Sequence, residues 1–149
     1  MRILLGADRM ETANYGVGDA SFRAAGGSDG IRAVVSRFYE YMDELTQARD
    51  VRAMHAADLH EVREKLIAFL CAWLGGPNEY RARFGPISIP GFHARFAIDE
   101  AERDAWLQCM ASAVADQAWD ASFKTYFMRA ISIPAERVRV ASVMRRGEP

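Results

Sequence analysis

The sequence predicts an all-α fold, and three observations carry that prediction. Four stretches of the 149-residue chain repeat apolar residues at steps of three and four, the spacing of one helix face. Two of them open on Asp-x-x-Glu, Asp58 with Glu61 and Asp99 with Glu102, which matches a capping box in its Asp variant. Glycine and proline punctuate the stretches, at Gly26-Gly27, Gly75-Gly76-Pro77 and Pro134.

Residues 1–18 carry Gly6, Gly16 and Gly18 without periodicity, so they are expected to form a loose N-terminal arm before a single domain over 19–149. A short helix over 21–25 stops at Gly26-Gly27. A longer one starts after Ser28-Asp29 and turns Ile31, Val34, Val35, Phe38, Met42 and Leu45 to one side. The polar stretch 47–52 separates it from a helix capped at Asp58, whose apolar side is Leu59, Val62, Leu66, Phe69, Leu70, Trp73 and Leu74. Gly75-Gly76-Pro77 ends that helix, since glycine admits a left-handed cap and proline cannot continue the ladder. Residues 78–98 hold Pro86, Pro90 and Gly91 and no helical period. The next helix begins at Asp99, turns Trp106, Cys109, Met110, Ala113 and Val114 inward, and fades near Gln117. The last covers 121–131, with Phe123, Phe127, Ala130 and Ile131 inward and Pro134 beyond its end.

Alternation at Ile87, Ile89, Phe92, Ala94, Phe96 and Ile98, and at Val138, Val140 and Val143, is also compatible with strands. A lone pair of short strands is marginal in a helical chain, and the prolines interrupt any ladder. The tetrapeptide Ile-Ser-Ile-Pro stands at 87–90 and 131–134 with unlike flanks, which makes it a coincidence rather than a repeat.

A chain of this length buries roughly 70% of its unfolded surface, and half of its residues (50%) are hydrophobic, so a core forms without a metal or disulfide staple. The 19 Lys+Arg nearly balance the 20 Asp+Glu, with no basic stripe, which argues against a nucleic-acid partner. Cys71 and Cys109 each sit in an apolar helical pattern and read as small buried hydrophobes of a reducing compartment. The opening apolar run is broken by Asp8 and Arg9, short of a signal peptide, and no stretch reaches the ~20 apolar residues of a membrane span. A cytoplasmic protein without a membrane partner is expected.

The histidines are the main polar resources. His60, followed by Glu61 and Glu64, lacks the second histidine of a zinc helix and reads as a solvated residue. His55, between two helices, reads as a loop residue bonded to a carbonyl. His93 lies on the irregular segment between Phe92 and Phe96, after two prolines that fix the local backbone, and suits either a satisfied core position or the wall of an apolar cavity. Tyr39 and Trp106 should project polar tips into the interior, to be met by a backbone carbonyl or by a ligand. No nucleophile triad, phosphate loop or carboxylate pair points to a hydrolase or nucleotide enzyme.

Taken together, Phe38-Tyr39, Phe69-Leu70, Trp73-Leu74-Gly75-Gly76-Pro77 with Tyr80, His93, and Asp104-Ala105-Trp106-Leu107 with Cys109-Met110 resemble a group II truncated haemoglobin. The likeness runs from about Ser28 to Val140, and its most specific parts are Gly-Gly-Pro-x-x-Tyr and Ala-Trp-Leu-x-Cys-Met. It implies two helical hairpins crossed around haem b. It implies His93 as the proximal iron ligand, Tyr39 and Trp106 as distal polar residues, and His55 at a distal position where relatives carry Phe, Tyr or His. Val62 and Leu66 would face the sixth coordination site, and Lys65 would pair with a haem propionate. Phe69, Tyr80, Arg95 and Phe96 complete the haem-facing set. Where relatives place an arginine before the proximal histidine this chain has Phe92, and Arg95 or Tyr80 would take over that propionate contact. Where many relatives have Pro-Phe after the histidine, this chain has Arg95-Phe96, a change that leaves iron ligation untouched.

The function so implied is binding of dioxygen, and of other diatomic gases such as CO or NO, at a five-coordinate iron, as in oxygen transport. Neutral imidazole ligates iron well, Val62 cannot ligate from the other side, and Tyr39, Trp106 and an N–H of His55 would donate to the ligand. Two other classes compete. A haem redox enzyme acting on peroxide or nitric oxide would need a reductase as partner, and a haem-free helical interaction module would leave Tyr39, His93 and Trp106 unexplained. The chain is expected as a monomer or homodimer.

Overall fold

A computed structural model describes residues 14–86 and 96–147. Among these residues stand seven α-helices and no strand: α1 (Ala20–Ala24), α2 (Gly27–Glu44), α3 (Arg49–Ala53), α4 (His60–Trp73), α5 (Tyr80–Phe84), α6 (Glu100–Ala115) and α7 (Ala121–Arg145). A 3-10 turn, Thr46–Ala48, leads into α3. Helix α2 packs on both α4 and α6, and α6 packs on α7, so the pair α2–α4 lies over the pair α6–α7. This is the two-over-two helical arrangement.

The core sits where the pairs cross. Ile31, Val34, Val35, Phe38 and Met42 of α2 meet Leu70 of α4, Met110 and Val114 of α6, and Phe123, Phe127 and Ile131 of α7, all buried. Each is an i, i+3, i+4 neighbour on its own helix, which is why the periodic residues of the sequence end up together. Trp119 stands edge-on to Phe123 at 4.9 Å and donates its indole N–H to the Ala25 carbonyl at 3.0 Å, so this tryptophan is satisfied by backbone. Cys71 and Cys109 are buried and free, and burial pushes the Cys109 thiol up to about 11.

Helix α6 starts with the expected capping box, in which the Asp99 N–H donates to Glu102 at 2.8 Å. The box expected at Asp58 does not form. Helix α4 begins one residue later, at His60, so Asp58 instead accepts the His60 N–H at 2.9 Å in a local turn. Glu61 is thereby released from capping.

The stretch 47–52 is not a plain polar connection: its one-turn helix α3 buries Val51 and the 3-10 turn buries Ala48, a pattern too short to show a period. Helix α5 likewise forms inside 78–98 and buries Tyr80. The strand option at 87–95 lies outside the described residues, as do His93 and Arg95.

The last helix does not stop before Pro134, and Val138, Val140 and Val143 continue it rather than forming a strand. An interior proline costs about 3 kcal/mol or more through the lost N–H and the ring's clash with the preceding turn. Two tertiary contacts offset that cost. Buried Ser142 accepts the Ile98 N–H at 2.9 Å and donates its own hydroxyl to the Phe96 carbonyl. Glu136 bridges Arg139 on its own helix and Arg103 of α6, the latter at 2.7 Å, and the two guanidiniums pull its carboxyl down to about 2. Ser142→Ala would remove the hydroxyl that ties Ile98 and Phe96 to α7 while their own 3.1 Å bond, Ile98 N–H to the Phe96 carbonyl, remains, a loss of about 0.5–1.5 kcal/mol. The expected result is a lower urea midpoint, and an unchanged midpoint would show that the clip adds nothing.

Of the N-terminal stretch, residues 1–13 lie outside the described part. Tyr15 lies against Phe123 at 5.1 Å and bonds Ser122 at 2.9 Å. Gly75 is needed at its place: φ is 92° and a Cβ would stand 1.9 Å from the Gly18 carbonyl oxygen.

Candidate functional site

Helix α4 carries apolar residues on more than one side. Ile67, Ala68, Leu70 and Cys71 are buried in the core, whereas Val62, Leu66 and Phe69 are only half-buried. The second set has its own surface: Val62, Leu66 and Phe69 line a cavity of about 470 Å³ between α3, α4, α6 and α7. Cofactor pockets run ~300–1,000 Å³ and are mainly apolar with a few placed polar groups. This cavity fits that description.

Tyr39, His55, Val62, Lys65, Leu66, Phe69, Tyr80, Phe96 and Trp106 all line it. These are the sequence-predicted site residues that fall among those described. Their convergence comes from four helices and two connections spread over 39–106, so no local pattern brings them together.

Phe38 aligns two of the polar tips. Its ring is fully buried, edge-on to Tyr39 at 4.8 Å and to Trp106 at 4.9 Å, so both aromatic neighbours are wedged against one rigid core residue. Tyr39 is only 4% exposed, and burial pushes its phenol well above the ordinary tyrosine value, against a smaller opposing pull from the Arg63 charge. It is therefore a neutral hydroxyl. Neither this hydroxyl nor the Trp106 indole N–H has a hydrogen-bond partner among the described residues, in contrast to Trp119, which bonds the Ala25 carbonyl.

His55 faces Tyr39 edge-on at 6.0 Å, and its Nδ1 lies 2.9 Å from the Val51 carbonyl. A carbonyl only accepts, so Nδ1 carries the proton. Burial lowers the imidazole below its ordinary value, the Arg52 charge adds to this, and the Val51 bond opposes them. Neutral His55 thus offers its other nitrogen, Nε2, as an acceptor. In this neutral ring the one N–H is taken by the backbone, so an N–H of His55 would reach a ligand only once Nε2 is protonated.

Lys65 stands at the cavity edge with its ammonium 5.6 Å from the centre of the Phe84 ring. Tyr80, beside Phe84 at 5.3 Å, is buried, which raises its phenol as well. Phe96 is held by the Ser142 clip. His60 is exposed, in keeping with a solvated residue.

The cavity also takes in residues that sequence reasoning missed. Pro134, Ala135 and Val138 line it from the half of α7 that was not expected to be helix, and the run Phe127, Ile131, Pro134/Ala135, Val138, Ser142 at steps of three and four was the signal. Arg103 and Glu61 reach its wall too; charged residues of this kind carry no periodic signature. No helix among the described residues is long and apolar enough to cross a membrane.

The sequence pattern of the family described as "Bacterial-like globin" matches residues 20–139. The group 2 truncated hemoglobin YjbI of Bacillus subtilis (strain 168) is 25% identical over 112 residues, 75% of this chain and 83% of the relative. Among solved structures, the group II 2-on-2 hemoglobin of the plant pathogen Agrobacterium tumefaciens has a TM-score of 0.76 and 33% identity, over 80% of this chain and 92% of its own. The cold-adapted truncated hemoglobin of the Antarctic marine bacterium Pseudoalteromonas haloplanktis TAC125 has the same TM-score, 0.76, with 27% identity over 79% of this chain and 95% of its own.

Proposed function

Because the chain belongs to the bacterial-like globin family, whose cofactor is haem b, we propose that its cavity seats the haem and that the protein reversibly binds dioxygen and other diatomic gases. In this reading His93 would be the one protein ligand to the iron, and Tyr39, His55 and Trp106 would meet the gas. Haem, when bound, would supply the iron at which a diatomic gas binds.

The observation that carries the reading is the pair of unpartnered donors in an apolar cavity. A hydroxyl and an indole N–H on the wall of an apolar cavity, with no protein partner among the described residues, are left to bond whatever enters it, and a ligand bearing partial negative charge suits both. The low dielectric strengthens each bond it makes. Val62, Leu66 and Phe69 form an apolar wall of the same cavity. Val62 offers no atom that could ligate a metal. At the edge, the Lys65 stem packs along the wall while its ammonium takes a propionate, with Tyr80 or Arg95 supporting the other. Phe96 would give the haem an apolar contact. Diatomic gases are the partners, and a reductase returns the iron to the ferrous state.

The absorption spectrum of the purified protein tests the reading. A Soret band that moves on adding carbon monoxide to the reduced protein is the expected result. A protein that takes up no haem when haem is supplied overturns it.

A further inference from the structure

Three polar atoms of the cavity are unequal in kind. Tyr39 and Trp106 present protons, whereas His55, whose Nδ1–H is committed to the Val51 carbonyl at 2.9 Å, presents a lone pair at Nε2. A proton-free gas can use the two donors but finds nothing to give the acceptor. A small neutral weak acid, HX, is complementary to all three.

We propose that His55 is the proton acceptor for such protic ligands, taking the proton of HX as X enters the haem pocket as its anion. The inference rests on the haem reading above. The H–X bond breaks, its electron pair stays on X and forms the new bond to iron, and the proton passes to Nε2. Charge is conserved, because the imidazolium formed faces the bound anion and donates the same proton back to it as a hydrogen bond. Tyr39 and Trp106 add donors to the same anion. His55 therefore discriminates between ligand classes, while the two donors serve both.

Other groups around the ring permit this role. Arg52, on the helix that leads to His55, disfavours the imidazolium before a ligand arrives, which keeps the base free. From α2 the ring meets Tyr39, which is neutral. The charges at the cavity from α4 are Glu61 and Lys65, and from α6 Glu102 and Arg103, of which Glu102 is held in the Asp99 capping box and Arg103 in the Glu136 ion pair. A group lowered by burial is neutral at pH 7, so the acceptor is present there and is lost as the pH falls and Nε2 takes a proton from solvent.

Hydrogen cyanide is the probe. General-base assistance contributes on the order of a hundredfold, so in the ferric haem-loaded protein the ratio of the cyanide association rate to that of carbon monoxide with the ferrous protein should fall by that factor in His55→Phe. His55→Asn keeps a side-chain N–H for the Val51 carbonyl but has no base, and should show the same fall. A second readout is nitrogen NMR of the His55 ring in the diamagnetic carbon monoxide complex at pH 7, which should show Nδ1 protonated and Nε2 bare. A wild-type rate ratio in either variant, or a ring protonated at Nε2 in that complex, overturns the proposal. A protein without a Soret band fails the haem reading itself, and is thereby told apart from one that binds haem but ignores His55.

Discussion

The His93→Ala protein is expected to fold with its helices intact and to be purified without haem. The other residues proposed for the haem are apolar walls, a rim cation, two distal donors and His55, the one other imidazole among them, to which the proposal gives a role toward the gas rather than the iron. If His93 is the sole iron ligand, removing its imidazole removes the coordinate bond and leaves only packing and the proposed propionate pair at the solvent edge, the kind of pair worth about 0–1 kcal/mol. Cofactor that binds only the folded state stabilises it by mass action, about 2.7 kcal/mol at a hundred times Kd. Wild type should accordingly melt at a higher temperature when haem is supplied, and His93→Ala should not. Added imidazole should restore uptake by filling the space of the deleted ring, which a merely structural role would not allow. His55→Ala should retain haem. If His93→Ala kept an unchanged spectrum while His55→Ala lost its haem, the ligand assignment would be reversed.

Much of the fold was legible because the apolar residues repeat at helical steps and because Asp99-Glu102 is a local signal for a local structure. What misled was local as well. Asp58-Glu61 has the same spelling as the box at Asp99, yet α4 starts at His60 with buried Leu59 as its cap, and the burial of Leu59 is not written in the local spelling. Pro134 reads as a stop until Ser142, eight residues on, is seen clipped to Ile98 and Phe96. That contact spans more than forty positions and has no signature in either segment.

The site divides in the same way. Tyr39 and Trp106 were legible as polar tips on apolar faces, but whether a tip meets a carbonyl or a cavity is a tertiary matter: Trp119 meets the Ala25 carbonyl and Trp106 lines the cavity. The half-buried state of Val62, Leu66 and Phe69 is likewise invisible in a list of apolar residues, since a face turned to a cavity and a face turned to a core are spelled alike. His55 was read as bonded to a carbonyl, and it is; its second nitrogen is what the site gains from that bond.

Oxygen should leave the haem-loaded Tyr39→Phe protein about ten to a hundred times faster than wild type. The substitution deletes only the hydroxyl, keeps the ring edge-on to Phe38, and so leaves the packing that aligns Trp106. A hydrogen bond to a group bearing charge contributes roughly 1.5–3 kcal/mol, and each 1.4 kcal/mol is a factor of about ten. Burial keeps the phenol protonated far into the alkaline range, so the donor persists at every pH at which the protein would be assayed. Trp106→Phe should also quicken release, but it changes volume beside Phe38, which makes the tyrosine variant the cleaner probe. Because both donors serve one ligand, the double variant should lose less than the sum of the two single losses. Carbon monoxide carries less charge when bound, so its dissociation should change by a smaller factor in each variant. Stopped-flow measurement of both gases decides the matter. If oxygen release from Tyr39→Phe matched wild type, the hydroxyl would be no donor to the ligand, and retention of the gas would rest on Trp106.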